Sequence, residues 1–259
     1  MAAAYTGAMA FVDDVVDVSD ALAGDGIAIR RNVLDAELVA RLAEATDRAF
    51  AREAAEFPPG DEQFGRALFP AEYGGAFVEL LEQEALLGPL EALLGPGSIV
   101  YTMTTSVVVS DRSSPAADFH VDLPPSRPSG LALGFIALLD RFDEASGATE
   151  FRLGSHLVLD DHEASLLPVH RIEGEPGDVC YFDPRIRHRA GRNRTDRPRR
   201  GVLVLLVQPW MKQRFDITTM VPPEVRAGLS PEAARRLGFD ALPPGSHEEF
   251  LARRRQRPW

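Results

Sequence analysis

Five short apolar segments dominate the sequence between residues 98 and 212, where helical periodicity is almost absent. They are rich in Val, Ile, Leu, Thr and aromatic residues, are separated by Gly, Pro, Asp and Ser, and read SIVYTMTTSVVVS, GLALGFIALLDRF, ATEFRL, VHRIEGEPGDVCYF and RGVLVLLVQPW. The lack of intervening helices argues against a parallel sheet built from β-α-β units. The stretch therefore predicts an all-β core with flanking helices, most economically a double-stranded β-helix, the cupin-like jelly roll.

A short strand and two helical patterns precede this β-rich stretch. GIAIRRNVL predicts a short strand, and DAELVARLAEATDRAFAREAAEF then places apolar residues at helical spacing behind a natural N-cap, Asp35. AFVELLEQEALLGPLEALLGPG predicts a second helical stretch, and we expect it to divide at Gly88 and Pro89 because both residues disfavour a helix interior.

After the β-rich stretch, VPPEVRAGLSPEAARRLGFD predicts a final short helix with Ser230 as N-cap and Pro231 at its first position. Neither an internal repeat nor a low-complexity linker divides the 259 residues. We therefore expect one domain, with a helical part over about residues 34–95, a jelly-roll core over about 98–212 and a helical tail over about 213–259.

Charge and composition narrow the function classes. The formal net charge of −11 disfavours binding to nucleic acid, and no apolar run is long enough to cross a bilayer. A single cysteine, Cys180, cannot form an internal disulfide, and the first 20 residues lack the basic start of a secretory signal, which favours a cytoplasmic location. We expect Cys180 to be a buried strand residue and the arginine-rich RRRQRP to be a solvated tail.

His120 and Asp122 in DFHVD stand two residues apart, so on a β-strand both side chains point to the same side. An imidazole and a carboxylate, joined by one more histidine, form the facial triad that binds non-haem Fe(II) and leaves open positions for other ligands. A lone H-x-D triplet also arises by chance at surfaces and in cores. The interpretation therefore depends on a third ligand.

His188 is the candidate for this third ligand. It stands in GDVCYFDPRIRHRAGRNRTDRPRRGVLVLL, after a turn and shortly before a strongly apolar strand, where we expect the chain to return to the same end of the β-structure. The sequence thus predicts that His120, Asp122 and His188 bind one metal ion and carry the chemistry.

Several pieces in this order resemble the phytanoyl-CoA dioxygenase-like family of Fe(II)- and 2-oxoglutarate-dependent oxygenases. They are FHVD, ALLDRFDEASGATEFRLGSH, GEPGDVCYFDPRIRHRAGRNRTDRPRRGV and the early GIAIRRNVLDAELVARL, and together they cover roughly residues 25–215. The resemblance implies that His120, Asp122 and His188 bind Fe(II) and that 2-oxoglutarate and O2 are co-substrates. It also implies that the arginine about eleven residues after the distal histidine, Arg199, pairs with the far carboxylate of 2-oxoglutarate.

A guanidinium suits that position because it binds both oxygens of a carboxylate. Arg200 is the alternative, since neighbours on a strand face opposite sides, whereas Arg197 precedes a proline and so lies before the strand begins. In YTMTTSVVVS, the side chains of Thr102, Thr104 and Ser106 share one face. We expect the Thr104 hydroxyl to bind the co-substrate carboxylate, although threonine is also common in strands without any such role.

The remaining polar candidates have simpler interpretations. Asn193 and Thr195 follow the distal histidine at positions that are polar in relatives, where they either join the site or stabilise a turn. His156 in RLGSH is expected to be structural. Three further histidines lie in polar contexts and are predicted at the surface: His162, His170 and His247.

The resemblance implies hydroxylation of an unactivated C–H bond in a small-molecule substrate. The strong arginine bias, with Lys212 as the only lysine, favours bacterial secondary metabolism. Desaturation, cyclisation and epimerisation stay open, whereas the presence of Asp122 disfavours halogenation. Two other classes also stay open: a cupin-like metalloenzyme that does not use 2-oxoglutarate, and a non-catalytic jelly-roll binding protein.

Overall fold

Two antiparallel sheets form the centre of the protein in the computed structural model. The structure describes residues 15–59, 61, 65–110 and 116–256, so the predicted lack of a secretory signal falls largely outside the described residues. The strands in chain order are β1 (Ile27–Arg30), β2 (Arg66–Ala67), β3 (Ile99–Val108), β4 (Ala132–Leu138), β5 (Glu150–Arg152), β6 (Val169–Arg171), β7 (Val179–Phe182), β8 (His188–Arg189) and β9 (Arg199–Val207). The larger sheet has the order β1-β7-β4-β9-β3-β2, and the smaller sheet has the order β6-β5-β8.

Most of the helices lie on the N- and C-terminal sides of the β-rich stretch, and one lies within it. Those of the described residues are α1 (Val15–Gly24), α2 (Ala36–Glu56), α3 (Ala76–Leu80), α4 (Glu84–Leu94), α5 (Asp161–Ser165), α6 (Ile217–Met220), α7 (Pro223–Ala227), α8 (Pro231–Arg236) and α9 (His247–Gln256). Between β3 and β9, the helical elements of the described residues are α5 and one 3₁₀ turn, Ser155–Leu157, which confirms the predicted β-rich core.

Strand alternation divides the apolar residues of the larger sheet between two clusters. One face packs against the helices, where Phe135 and Val204 share a buried cluster with Leu38 and Leu42 of α2. The opposite face packs against the smaller sheet, where Ile136, Cys180 and Phe182 share a second cluster with Phe151 of β5. The space between the two sheets contains the candidate site.

The predicted helix caps are confirmed. The Asp35 carboxylate accepts a hydrogen bond from the Leu38 amide at 2.7 Å, and the Ser230 hydroxyl accepts one from the Ala233 amide at 3.1 Å. The prediction that α8 is the final helix was wrong, because the last described residues form α9. Its three terminal arginines, Arg253 to Arg255, are exposed.

The predicted break at Gly88 and Pro89 was also wrong. Both residues lie inside α4, and the chain divides instead at residues 81–83, between α3 and α4. A proline in a helix interior leaves the carbonyl four residues earlier without its donor. Here that carbonyl belongs to Ala85, and the Arg30 guanidinium of β1 donates to it at 2.8 Å. A side chain from a distant strand thus replaces the backbone hydrogen bond that Pro89 cannot make.

A buried guanidinium fixes the C-terminal helices to the N-terminal part. Arg236 of α8 is fully buried and donates to Glu91 of α4 at 2.7 Å and to the Leu81 carbonyl at 2.8 Å.

Cys180 is buried in β7, as predicted, and burial raises the pKa of its thiol. Within the part of the chain that the structure describes, no helix has the length and apolar character to cross a membrane.

His156 is the buried histidine outside the candidate metal cluster, and it packs beside the start of β1. A Cβ atom placed on Gly26 would lie 2.7 Å from the His156 ring, so ring and backbone are closely packed. Burial lowers the pKa of His156 from 6.5, so the native ring stays neutral at pH values where the unfolded chain takes up a proton. The unfolded state then binds more protons, and stability falls as the pH falls below 6.5.

We therefore expect His156→Asn to flatten the pH dependence of the free energy of unfolding below pH 6.5. The difference in slope between wild type and variant should not exceed about 1.4 kcal/mol per pH unit, the limit for one proton. Urea denaturation from pH 5 to 8 measures it, with His162→Asn on the exposed face of α5 as the control. Identical slopes for wild type and His156→Asn would contradict the assignment.

Candidate active site

Three side chains that could hold a metal ion meet between the sheets. One ligand atom each of His120, Asp122 and His188 lies within 4.8 Å of the other two. His188 Nε2 and Asp122 Oδ2 are 3.8 Å apart, which is too far for a hydrogen bond, and the two imidazole rings have centroids 4.4 Å apart. Two imidazole nitrogens and one carboxylate form the donor set of a non-haem Fe(II) site.

A stable turn delivers His188 to this position. Asp183 accepts hydrogen bonds from the Arg185 amide at 2.9 Å and from the Arg185 guanidinium at 2.6 Å, while its own carbonyl accepts from the Ile186 amide. The chain then enters β8, where His188 pairs with Phe151 of β5. His188 is 5% exposed, so its ring is fixed by packing as well as by the turn.

The segment that carries His120 and Asp122 does not form the regular strand that the sequence predicted. His120 makes an isolated bridge with His188, in which each amide donates to the other residue's carbonyl at 3.0 Å. Beyond it, the amides of Asp122 and Leu123 both donate to the Pro184 carbonyl at 2.9 Å. Two amides converging on one carbonyl interrupt the strand pattern, which is the physical reason for the difference. Both side chains nevertheless reach the same cluster.

Backbone carbonyls hold both imidazoles in one orientation. His120 Nδ1 lies 2.9 Å from the Asp118 carbonyl, and His188 Nδ1 lies 3.0 Å from the Ile186 carbonyl. A carbonyl accepts a hydrogen bond only from a protonated nitrogen, so Nδ1 carries a proton in each ring, and in the neutral form of such a ring the Nε2 lone pair is free. This is the arrangement of a histidine ready to bind a metal ion.

The surroundings of His188 favour its neutral form. Its ring lies 5.6 Å from Phe151 and 5.7 Å from Phe182 between centroids. Burial lowers the pKa of His188, with Asp122 acting in the opposite direction. A neutral imidazole is the form that binds metal.

Phe119 connects the two ligand-bearing segments on their outer side. Its ring lies between two guanidiniums, with the Arg152 Cζ at 4.4 Å and the Arg189 Cζ at 4.5 Å from the ring centroid. Arg189 follows His188 directly and is itself fixed by Glu150, whose carboxylate accepts from Arg189 Nε at 2.8 Å. The aromatic ring therefore joins the His120 segment to β8 by cation–π contacts.

A cavity of about 390 Å³ opens beside the cluster. All three candidate metal ligands line it, together with the face of β3 and β9 on which Thr104, Leu203 and Arg199 lie. A cavity of this size with a few converging polar groups is the usual form of a small-molecule site.

Arg199 lies in this cavity as a buried charge. It is 3% exposed, its Cζ lies 4.2 Å from the Phe142 ring centroid, and its Nε has no hydrogen-bond partner among the residues that the structure describes. No carboxylate of the described residues forms a salt bridge with it. Burial lowers the pKa of Arg199 to about 10, so the guanidinium remains positive at neutral pH. A buried, unpaired cation is costly, and an anionic ligand in the cavity would remove that cost.

Arg200, the alternative anchor, faces away from the cavity. Its guanidinium binds Asp140 at 2.8 Å and Asp47 of α2 at 2.9 Å, so its charge is already balanced. Arg197 lies before β9 and contributes its backbone carbonyl to the Asn193 side chain at 2.7 Å. The alternation of side chains along β9 thus separates the neighbouring arginines.

Some of the predicted polar residues line the cavity, and others stabilise a turn. Thr102, Thr104 and Ser106 all line the cavity. Asn193 is buried, and its amide donates at 2.8 Å to the carbonyl of Val108, the residue that pairs with Arg199. Its side-chain oxygen accepts from Thr195 at 2.7 Å. Asn193 and Thr195 therefore stabilise the turn that leads into β9.

Three further polar or aromatic residues of the cavity were not identified from the sequence. Arg66 lies on the edge strand β2, Tyr101 stands at an irregularity in β3, and Arg214 follows β9. Their neighbours in sequence form no motif, so only the pairing of β2 with β3 and the return of the chain after β9 bring them to the cavity.

The other histidines lie outside the cavity lining. His156 is buried, His162 and His247 are exposed, and His170 is half-buried.

Known proteins share both the sequence pattern and the fold. Residues 22–201 match the family described as Phytanoyl-CoA dioxygenase (PhyH). The Fe(II)/2-oxoglutarate-dependent dioxygenase nvfF of Aspergillus novofumigatus is 26% identical over 142 residues, which cover 52% of this chain and 47% of the relative. The dioxygenase cdmA of Talaromyces verruculosus is 27% identical over 173 residues, which cover 62% and 58%. The matched part spans about half the length of these curated relatives.

A solved structure shows the same fold. The epimerase SnoN, crystallised with Fe3+, alpha ketoglutarate and nogalamycin RO, superimposes with a TM-score of 0.63 at 19% identity, covering 80% of this chain and 88% of that one. At this identity the likeness concerns the fold, an antiparallel β-structure with flanking helices. The family match covers most of the present chain, and we conclude that the protein belongs to the phytanoyl-CoA dioxygenase (PhyH) family.

Proposed function

We propose that the protein is an Fe(II)- and 2-oxoglutarate-dependent dioxygenase that hydroxylates an unactivated C–H bond of a small-molecule substrate. The observation that carries the proposal is one cavity with two features: a set of two imidazoles and one carboxylate, and a buried guanidinium that forms no salt bridge with a carboxylate of the described residues. 2-Oxoglutarate matches both, because its keto acid end chelates a metal ion and its far carboxylate needs a cation.

The donor set fits Fe(II). The carbonyl contacts at Nδ1 direct Nε2 of His120 and His188 to the metal in their neutral forms, and Asp122 would add one negative charge, a donor set that leaves coordination positions for co-substrates. Bound iron would supply the activation of O2, coupled to oxidation of 2-oxoglutarate to succinate and CO2, for insertion of one oxygen atom into the substrate. The protein's own residues orient the ligands, favour the neutral form of His188 and enclose the cavity with apolar side chains.

In this proposal Arg199 binds the far carboxylate of 2-oxoglutarate, and the Thr104 hydroxyl assists from the facing strand. Thr104 pairs with Leu203 and is half-buried at the cavity wall. Arg199 approaches the same wall from the start of β9, and Phe142 shields its guanidinium. Charge-assisted hydrogen bonds in such a shielded place are stronger than at a surface.

We infer that the two sheets form a double-stranded β-helix and that the chain acts as one catalytic domain. Support comes from the shared buried cluster between the sheets and from the cluster that joins the larger sheet to α2 and α4. Small-molecule metabolism is the proposed setting, with bacterial secondary metabolites as substrates. The SnoN neighbour, from nogalamycin biosynthesis, supports that setting, and its epimerase activity keeps epimerisation as an alternative outcome.

Anaerobic titration of the Fe(II)-loaded protein with 2-oxoglutarate tests the proposal. We expect a visible charge-transfer band that saturates at one equivalent, because the keto acid chelates the iron. Iron binding without the band would favour a cupin-like metalloenzyme that uses no 2-oxoglutarate. Failure to bind iron at all would favour a non-catalytic binding protein. Admission of O2 should then yield succinate in proportion to the band that is lost.

Phe119→Leu should weaken metal binding without unfolding the protein. The substitution removes two cation–π contacts that hold the His120 segment against β5 and β8, each worth about 0.5–1 kcal/mol. We expect the dissociation constant for Mn(II), measured by calorimetry without O2, to rise about five- to tenfold.

Phe250→Leu is the matched control, since Phe250 is a partly exposed aromatic residue of α9 that stacks on His247 away from the candidate ligands. Its Mn(II) affinity should equal that of the wild type. Equal affinity in both phenylalanine variants would show that the Phe119 ring does not position the ligands.

A further inference from the structure

The cavity has two polar ends, and 2-oxoglutarate accounts for only one of them. Arg199 pairs with Val108 at one end of the β3–β9 ladder, whereas Thr102 pairs with Leu205 near the other end. Val108 and Thr102 are six residues apart in the strand, which corresponds to about 20 Å along an extended backbone. A five-carbon dicarboxylate held by the metal ion and by Arg199 does not reach that far.

The second end holds a buried hydroxyl that has no partner. Thr102 is 3% exposed and lines the cavity, and its Oγ1 makes no hydrogen bond within the described structure. A buried hydroxyl without a partner is unfavourable, and a hydrogen bond to a polar ligand would remove that cost.

A guanidinium stands at the same end. The Arg214 amide donates to the carbonyl of Tyr101, the neighbour of Thr102, at 3.1 Å, and the Arg214 side chain lines the cavity while being exposed to solvent. Its Cζ lies 5.6 Å from the Phe215 ring, and no carboxylate of the described residues forms a salt bridge with it. The cation is therefore available at the cavity entrance.

One side of the wall between the two ends is apolar. Leu203 and Leu205 of β9 and Ile136 of β4 line the cavity between Arg199 and Arg214. We propose that the organic substrate is a carboxylic acid, whose carboxylate binds Arg214 and Thr102 while its apolar part extends along this wall toward the metal ligands. This inference rests on the proposed function, because it places the substrate beside bound 2-oxoglutarate.

The charges of the loaded site agree with an acidic substrate. Fe(II) and Arg199 would be balanced by Asp122 and the two carboxylates of 2-oxoglutarate. That balance does not involve Arg214, which forms no salt bridge with a carboxylate of the described residues, in a protein whose formal net charge is −11. A planar guanidinium beside a hydroxyl donor binds a carboxylate more strongly than it binds a neutral amide of the same shape.

Matched acids and amides test the proposal. The probes are hexanoate, 3-phenylpropionate and their primary amides, added without O2 to protein already saturated with Mn(II) and 2-oxoglutarate. Line broadening of the probe protons by Mn(II) reports binding near the metal, and its concentration dependence gives the affinity. We expect at least one acid to bind about tenfold more tightly than its amide.

Arg214→Gln should remove the preference for the acid, and Thr102→Val should reduce it several-fold. Arg226→Gln is the control, because Arg226 is also exposed, lies over an aromatic ring at 4.7 Å and does not line the cavity. The proposal is overturned if acid and amide bind equally, if no acid binds, or if Arg214→Gln retains the preference.

The proposed function has a separate readout in the same samples. Its failure appears as absent 2-oxoglutarate binding before any probe is added. If a probe acid occupies the 2-oxoglutarate position instead, its affinity falls in Arg199→Met rather than in Arg214→Gln. Retained 2-oxoglutarate binding with no acid preference overturns this inference alone.

Discussion

His188→Ala is expected to lose Fe(II) binding and turnover together. Removal of this imidazole leaves one histidine and a carboxylate that is partly exposed to water, and two such ligands hold the ion poorly. Loss of a residue that merely orients a ligand costs 10- to 100-fold in metal affinity, so loss of a ligand itself should exceed about 100-fold. Iron stoichiometry after anaerobic reconstitution and desalting measures the effect, and Asp122→Ala and His120→Ala should behave alike.

His162→Ala is the matched control for this experiment. His162 lies exposed on α5, and its removal tests whether loss of any histidine lowers the iron content. The variant should retain the wild-type stoichiometry. Wild-type iron content in His188→Ala and His120→Ala would refute the assignment of the three ligands, whatever the activity of the variants.

Arg199→Met should raise the dissociation constant for 2-oxoglutarate while iron still binds. The buried guanidinium is proposed to form a charge-assisted pair with the far carboxylate, and loss of such a pair costs about 2–4 kcal/mol, or roughly 30- to 1000-fold in affinity. The midpoint of the charge-transfer titration measures the change. The ligand-free variant should be at least as stable as the wild type, because the substitution removes an unpaired buried charge.

Arg200→Met should have the opposite effects, with lower stability and unchanged affinity for 2-oxoglutarate. This variant loses the ion pairs with Asp140 and Asp47, so its thermal midpoint should fall modestly, while its affinity for 2-oxoglutarate should stay unchanged. Two adjacent arginines thus separate ligand binding from stability. The same 2-oxoglutarate affinity in wild type and Arg199→Met would place the anchor elsewhere in the cavity.

The structural features predicted correctly from the sequence are those that depend on interactions between neighbouring residues. The caps at Asp35 and Ser230 and the burial of Cys180 follow from neighbouring residues alone, and the structure confirms them. The break at Pro89 was wrong because a distant residue, Arg30, compensates for the missing amide. No local pattern contains that information.

In the candidate site, too, some residues could be identified from local sequence and others could not. The H-x-D spacing and the distal histidine identified a set of side chains that the structure brings together, although the segment carrying His120 and Asp122 is not a regular strand. Arg214 and Tyr101 could not be found from spacing, since the register of β3 with β9 and the path of the chain after β9 place them at the cavity. Thr102 could be assigned to a face, but its lack of a partner is a property of packing.

Two of the three candidate ligands lie outside both sheets. The segment from His120 to Leu123 is attached through hydrogen bonds to His188 and Pro184, whereas the register of the larger sheet depends on other strands. The exposed, proline-rich residues that follow it can therefore change in sequence or length without altering the sheet. Such separation lets an enzyme lineage acquire new specificities while its reactive centre and its folding stability are inherited intact.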